Sequence, residues 1–328
     1  MNVLVTGVTG FTGSRLARYL AEAGNKVRGL VRGTSRERAR PLEAIGLKTV
    51  EGDLTELDTL GPACHEVDVV YHIAASYRTA GQRDATYRAI NVGGTENLLC
   101  AAEASGVRRF VHCSTGGVHG NIDRAPATES APLEPGDIYQ VTKLEAERVA
   151  RATGERSDLE VVVARPIGIY GPGDVRFLKM FRGIARRRFP ILGSGQIFYH
   201  LTYIDDLVEG FRLCGETAAA AGRTYLLAGP AYTTLEELTE LIAAEFGVAP
   251  PRLRLPVWPF WFGGALCEAI CVPLGLEPPL YRRRVEFFTK SRAFDTTRAR
   301  QELGFNPMID LRTGIHRTAV WYREQGLL

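Results

Sequence analysis

In the run "DIYQVTKLEAERV", residues 137–149, a tyrosine and a lysine stand four residues apart. On a helix this spacing puts Tyr139 and Lys143 on one face, about one turn from each other. Two readings compete. The pair is a solvated helix face, where both residue types are common, or it is an acid/base unit in which an ammonium steadies a phenolate. An unperturbed tyrosine has a pKa near ~10, too high for efficient proton exchange at neutral pH. A cation one turn away favours the charged phenolate and lowers that value. The spacing alone does not choose between these readings.

A second stretch with chemical meaning is "VTGVTGFTGSRL", residues 5–16. Gly7, Gly10 and Gly13 follow an apolar run and open a helical one, a GxxGxxG pattern rather than GxGxxG. A tight turn and a bare backbone let a pyrophosphate approach the N–H groups of a helix N-terminus. The intervening Thr9, Phe11 and Thr12 belong to the same candidate cofactor-binding run. At the end of the next apolar run, "LVRGTSRER", Val31 stands where an acid would bind the ribose 2′-hydroxyl of NAD, and Arg32 follows. An arginine there pairs bidentately with a 2′-phosphate, which favours NADP. If Arg32 only stacks on the adenine, NAD serves equally. "GDL", residues 52–54, sets Asp53 and Leu54 beside the adenine edge.

The elements that must position these residues are short apolar runs alternating with helical ones. Strands are expected at 2–7, 26–32, 47–53, 68–75, 108–115 and 159–166, and helices at 14–24, 89–106 and around Tyr139. Unbroken Val/Ile/Leu runs mark strands buried on both faces, hence an α/β fold with a doubly wound parallel sheet of the Rossmann type. After Pro166 the alternation fails and Gly and Pro become frequent. The expected division is a dinucleotide-binding unit at 1–165 with a returning segment at 203–228, and a smaller substrate-binding unit at 166–202 and 229–328.

The glycine loop, "HIAAS", "NVGGTENL", "CSTGGVHG", the YxxxK pair and "RPIGIYGPG" occur in this order. With that set the chain resembles, over its whole length, the extended short-chain dehydrogenase/reductase family. The resemblance implies that Tyr139 is the general acid/base on a substrate hydroxyl or carbonyl, and that Lys143 lowers its pKa and binds the nicotinamide ribose. It also implies that Thr115 bonds the substrate oxygen, with Ser114 nearer the cofactor and Asn91 supporting the site. Ala74, Ala75, Pro166 and Ile167 should pass close to the cofactor, and His119, where relatives carry tyrosine, is read as structural. A homodimer through the 89–106 and 137–150 helices is a further implication.

Within that family two classes share the same catalytic residues. Nucleotide-sugar epimerases and dehydratases often have an arginine just before the "YIDD"-like segment, where this chain has Tyr199 and His200. Arg282 to Arg284 fall near a second arginine position of those enzymes. The aromatic run Trp258, Phe260, Trp261 and Phe262 suits an apolar substrate, as in relatives resembling 3β-hydroxysteroid dehydrogenases and dihydroflavonol reductases. The expectation is an NAD(P)-dependent alcohol/ketone oxidoreductase, with a sugar-nucleotide enzyme that recycles NAD as the alternative. A non-catalytic nucleotide-binding protein is the third class.

Composition bounds the rest. In 328 residues, 40 Lys and Arg against 37 Asp and Glu leave a formal charge of +3, too small and scattered for nucleic acid to be the main partner. Six cysteines, with no CxxC pair, fit a reducing cytosol, and Cys267 and Cys271 read as buried small hydrophobes. The chain opens on a core strand, so a cytoplasmic protein without a signal peptide is expected. Residues 257–276 carry one charge, Glu268, with Pro259 and Pro273 near the ends. They are read as a buried helix lining an apolar pocket, a helix seated in a membrane surface being the less favoured alternative.

Overall fold

The computed structural model describes residues 1–77, 81–271, 274, 276 and 278–328, with 283 and 284 described by their backbone only. Seven strands form one sheet: β1 (Asn2–Thr6), β2 (Lys26–Val31), β3 (Lys48–Glu51), β4 (Val69–His72), β5 (Arg109–Cys113), β6 (Glu160–Pro166) and β7 (Thr224–Leu227). All pairs are parallel, in the order β7-β6-β5-β4-β1-β2-β3. The strand order reverses between β1 and β4, and a doubly wound sheet opens its crevice there, outside the carboxyl ends of the strands.

Helices α1 (Phe11–Glu22) and α4 (Ile204–Glu216) cover one face, and α2 (Gly94–Ala104) and α3 (Ile138–Arg156) the other. Along β1, Val3 and Val5 join Leu16, Leu20, Leu207 and Phe211 in one core, whereas Leu4 joins Leu98, Leu99 and Phe110 in the second. Each strand therefore feeds two cores through alternate side chains, which is why its sequence shows no polar alternation. β7 belongs to the returning segment, so the sheet is completed by residues that follow the irregular stretch after Pro166.

Arg109 shows how a buried charge is accommodated. It is 1% exposed, and its guanidinium donates to the carbonyls of Cys214, Gly215 and Thr217 at 3.3, 3.1 and 2.7 Å. Those are the orphan acceptors of the last turn of α4, where a cation also meets the negative end of the helix dipole. Its Nε donates to Glu160 at 2.7 Å, which completes the pairing.

The expectation of a buried helix at 257–276 is wrong. Helix α6 (Trp258–Cys271), which follows α5 (Leu235–Glu245), has only Gly264 buried. Trp258, Phe262, Leu266 and Ile270 are 66, 62, 63 and 54% exposed. The physical reason is that one narrow side does the packing. A Cβ on Gly264 would come within 3.0 Å of the backbone N of Arg282, so α7 (Arg282–Glu286) crosses at the glycine, and no layer among the described residues covers the other side. Cys267 and Cys271 are half-buried rather than buried. Pro273 lies outside the described residues. No helix among the described residues is long and apolar enough to cross a membrane.

Candidate active site

The glycine loop lies at the reversal of the sheet. Gly7 has φ +71°, and a Cβ there would sit 2.9 Å from Ala74 N, so only glycine fits between β1 and the loop after β4. A Cβ on Gly13 would come within 2.2 Å of the Gly7 carbonyl. Gly10 begins α1 without a capping side chain, which leaves the first N–H groups of the helix facing the crevice. This cradle fits the pyrophosphate of a dinucleotide. Thr9, Phe11 and Thr12 are half-buried around it, and Ala75 continues the loop beyond Ala74.

Behind Ala74 runs a chain of buried hydrogen bonds. Ala74 N–H donates to Thr6 Oγ1 at 3.0 Å, and Thr6 Oγ1 pairs with His72 Nδ1 at 2.9 Å. His72 Nε2 pairs with Thr95 Oγ1 at 3.0 Å, and that hydroxyl donates to the Asn91 carbonyl at 2.7 Å. Because Thr95 already donates, it must accept from His72, which assigns the proton to Nε2 and makes Nδ1 the acceptor. The imidazole is held neutral, its pKa pushed down to about 3 by burial and, secondarily, by the charge of Lys143.

Asn91 sits in a π-helical turn, Ala89–Gly93, directly before α2. Its Oδ1 accepts from Ser76 N–H at 2.7 Å, and its Nδ2 donates to Ser76 O at 3.2 Å and to Thr142 Oγ1 at 3.0 Å. It therefore joins the loop after β4 to α3. Asp137 caps α3 by accepting from Gln140 N–H at 2.9 Å, which fixes the turn that presents Tyr139. Tyr139 is half-buried, with its ring edge-to-face with Tyr77 at 4.8 Å.

One turn on, Lys143 is 1% exposed, and burial lowers its pKa, partly opposed by Cys113 and Glu147. Among the described residues no acceptor hydrogen-bonds its Nζ. A buried ammonium needs such partners, and ribose hydroxyls of a bound dinucleotide fit that need. Thr115 Oγ1 accepts from Gly117 N–H at 3.1 Å, so its own O–H stays available as a donor. The Thr115 loop lies on Ile167: a Cβ on Gly116 would fall 1.9 Å from Ile167 Cδ1. Pro166, in register with Leu227, ends β6 beside it.

Ser114 faces the interior and donates to Glu147 Oε2 at 2.7 Å. Glu147 is paired with Arg165 (Nε to Oε2, 3.0 Å), both 2% exposed at the side chain. Arg165 in turn contacts His119 Nε2 at 3.0 Å, and His119 Nδ1 pairs with the Pro132 carbonyl at 3.1 Å. Nδ1 is therefore the donor, and the ring is neutral, its pKa down to about 4 through burial and then the Arg165 charge. Glu147 follows Lys143 by four residues, so Tyr139, Lys143 and Glu147 form one ladder on α3.

Beyond the end of β2, Arg32 and Asp53 share a cleft of about 410 Å³ with Thr55, Ala85, Thr86, Ala89 and Ile90. Arg32 is exposed, and Asp53 Oδ1 accepts from the Thr55 backbone at 2.9 Å. Leu54 turns its side chain into the core against Gly94. Buried hydrogen bonds thus tie the loop after β4, with Ala74 against the glycine loop, through Asn91 to the helix that carries Tyr139 and Lys143, while Arg32 and Asp53 share a cleft beside Ala89 and Ile90.

Sequence reasoning passed over Tyr77, Arg176, Glu147 and Arg165. The Arg176 guanidinium lies 5.7 Å from the rings of both Phe11 and Tyr77, and Asp174 holds it at 2.7 Å. It therefore links the glycine loop to the tyrosine that packs on Tyr139. Glu147 could have been found by extending the spacing of four one step beyond Lys143. Nothing local marks the other three.

Comparison with known proteins places the chain in a family. The sequence model of the NAD dependent epimerase/dehydratase family matches residues 3–228. The chain is 30% identical to a 3 beta-hydroxysteroid dehydrogenase/Delta 5-->4-isomerase of Mycobacterium tuberculosis, over 98% of this chain and 90% of that protein. It is 30% identical to a 2-alkyl-3-oxoalkanoate reductase of Stenotrophomonas maltophilia, over 97% of this chain and 98% of the relative. Among solved structures it resembles DesIV, a dTDP-glucose 4,6-dehydratase from Streptomyces venezuelae with NAD and TYD bound. That likeness has TM-score 0.77 and 28% identity, over 99% of this chain and 97% of that one. The chain belongs to the NAD dependent epimerase/dehydratase family, and it is an enzyme of the extended short-chain dehydrogenase/reductase type.

Proposed function

We propose that the protein is an NAD(P)-dependent oxidoreductase that interconverts a secondary alcohol and a ketone on a small apolar substrate. Bound NAD(P) supplies or accepts the hydride. Tyr139 gives its phenolic proton to the carbonyl oxygen in reduction and takes it back in oxidation. The Lys143 ammonium, held without a protein acceptor among the described residues, stabilises the phenolate. Thr115 donates to the same oxygen. Residues 1–165 with 203–228 serve the dinucleotide, and 166–202 with 229–328 the substrate.

The observation that carries this choice of class concerns Tyr199 and His200. Both are buried, at 6 and 4% exposure. Tyr199 donates to the Phe287 carbonyl, and His200 Nε2 pairs with the Gly229 carbonyl at 2.9 Å. Where a sugar-nucleotide enzyme of this family often presents an arginine to a diphosphate, this chain has two side chains committed to its own backbone. Arg282 is likewise engaged, by Glu268 at 2.7 Å; the side chains of Arg283 and Arg284 lie outside the described residues. Relatives named for a hydroxysteroid and a 2-alkyl-3-oxoalkanoate favour the same substrate class.

NADP is the preferred cofactor in this proposal. Its support is the exposed Arg32 at the end of β2, with Val31 buried where an acid would serve NAD. The test is to denature freshly purified protein and identify the nucleotide released. A protein that releases none, and then binds NADPH more tightly than NADH, agrees with a reductase that exchanges its cofactor. Stoichiometric NAD would contradict the proposal and favour an epimerase or dehydratase.

A further inference from the structure

The outward side of α6 is the least explained surface of the molecule. At about 100° per residue, Trp258, Phe262, Leu266, Ala269 and Ile270 fall within one arc of about 120°, and all five are exposed. The rings of Trp261 and Phe262 lie 5.4 Å apart, and Trp261 is 44% exposed. That arc contains no charged residue. Leu274 and Leu276, beyond the helix, are 67 and 60% exposed, and Leu253, before it, is 61% exposed. A contiguous apolar patch of this kind marks a contact surface rather than a scatter of single residues.

Basic residues flank the patch in the sequence. Arg252 is exposed, and the Arg282 guanidinium lies over Trp261 at 5.8 Å while pairing with Glu268, the one acid of the helix. Residues 249–290 contain six basic and three acidic residues, a net +3 that equals the formal charge of the whole chain. At 14 residues the helix is about 21 Å long, too short to span a hydrocarbon core of about 30 Å.

We infer that α6 lies flat on an anionic lipid surface, its apolar arc in the boundary between headgroups and acyl chains and the flanking arginines against the headgroups. Tryptophan beside leucine, with a basic border and no charge on the buried arc, is the chemistry of an interfacial helix. A second copy of the chain is the weaker occupant. A two-fold contact through α6 would bring the two basic borders together, whereas an anionic surface complements them. The docking does not depend on which substrate the crevice takes.

The test uses the full chain and flotation with two kinds of vesicle, phosphatidylcholine alone and phosphatidylcholine mixed with phosphatidylglycerol. The wild-type protein should float with the anionic vesicles, less with the neutral ones, and progressively less as salt is raised. Trp258→Ser/Phe262→Ser/Leu266→Ser should weaken vesicle binding at least about tenfold and leave melting temperature and dinucleotide binding unchanged. Absence of flotation at low salt would overturn the inference, as would equal flotation of the triple variant. Self-association that the triple variant abolishes, without vesicle binding, would overturn it in favour of a second copy.

Discussion

Asn91 and Thr142 are hydrogen-bonded inside the protein, Nδ2 to Oγ1 at 3.0 Å, one residue before the lysine of α3. The same Asn91 side chain fixes Ser76, so the loop that passes the glycine cradle and the helix that carries Tyr139 share one anchor. Thr142 Oγ1 also lies 3.0 Å from the Tyr139 carbonyl. Asn91→Ala removes the anchor and strands the Ser76 N–H. It should cost about 1–3 kcal/mol in stability and lower kcat by about 10- to 100-fold, since small misplacements near reacting groups are costly. Urea denaturation and steady-state kinetics check both. Unchanged kcat would mean that the anchor does not position the site.

Glu147 and Arg165 form a buried pair below Lys143. Glu147→Ala leaves the Arg165 guanidinium at 2% exposure without its carboxylate. The expected loss is about 3–5 kcal/mol, read as a lower urea midpoint at constant m. A loss below about 1 kcal/mol would mean that water or another group replaces the carboxylate readily.

The neutral histidines make stability depend on pH. His72 and His119 have pKa values lowered in the fold to about 3 and about 4, against 6.5 for the ordinary side chain. Between these values the unfolded chain takes up protons that the native chain refuses. Stability is therefore fully present above pH ~6.5 and is lost as pH falls toward ~4, by a few kcal/mol. Protonating His72 Nδ1 would also turn the acceptor of the Thr6 hydroxyl into a donor. Urea midpoints measured across this range should fall on acidification, and His119→Asn should reduce the slope. A flat profile would contradict the neutral assignments.

Arg32 is the residue on which cofactor preference is proposed to rest. Arg32→Ser should raise KM for NADPH by about tenfold or more, the loss expected for a charge-assisted hydrogen bond, and leave KM for NADH nearly unchanged. Equal effects on both cofactors would reduce Arg32 to an adenine-stacking role.

The sheet was legible because its strands are buried on both faces, so that Val3-Leu4-Val5 and Val161-Val162-Val163 read as unbroken apolar runs. The glycine loop was legible because Gly7 and Gly13 have no room for a Cβ. The tyrosine–lysine pair showed through helical spacing. Partners joined across the fold were not legible. Glu147 meets Arg165 from a different element, and Arg109 reaches the last turn of α4 from β5. For α6, hydropathy reported apolar residues correctly but carries no information about which layer covers them. The crossing of α7 at Gly264 leaves that helix outside both cores.

The most direct measurement is NADPH consumption with apolar ketones, comparing the wild-type protein with Tyr139→Phe. The account predicts net oxidation of NADPH matched by alcohol formed. It further predicts a kcat lowered about 10²- to 10⁴-fold in Tyr139→Phe, with NADPH affinity changed only a few-fold. Turnover of Tyr139→Phe at the wild-type rate would contradict the acid/base assignment. Conversion of a nucleotide sugar without net change in cofactor would contradict the proposed reaction class.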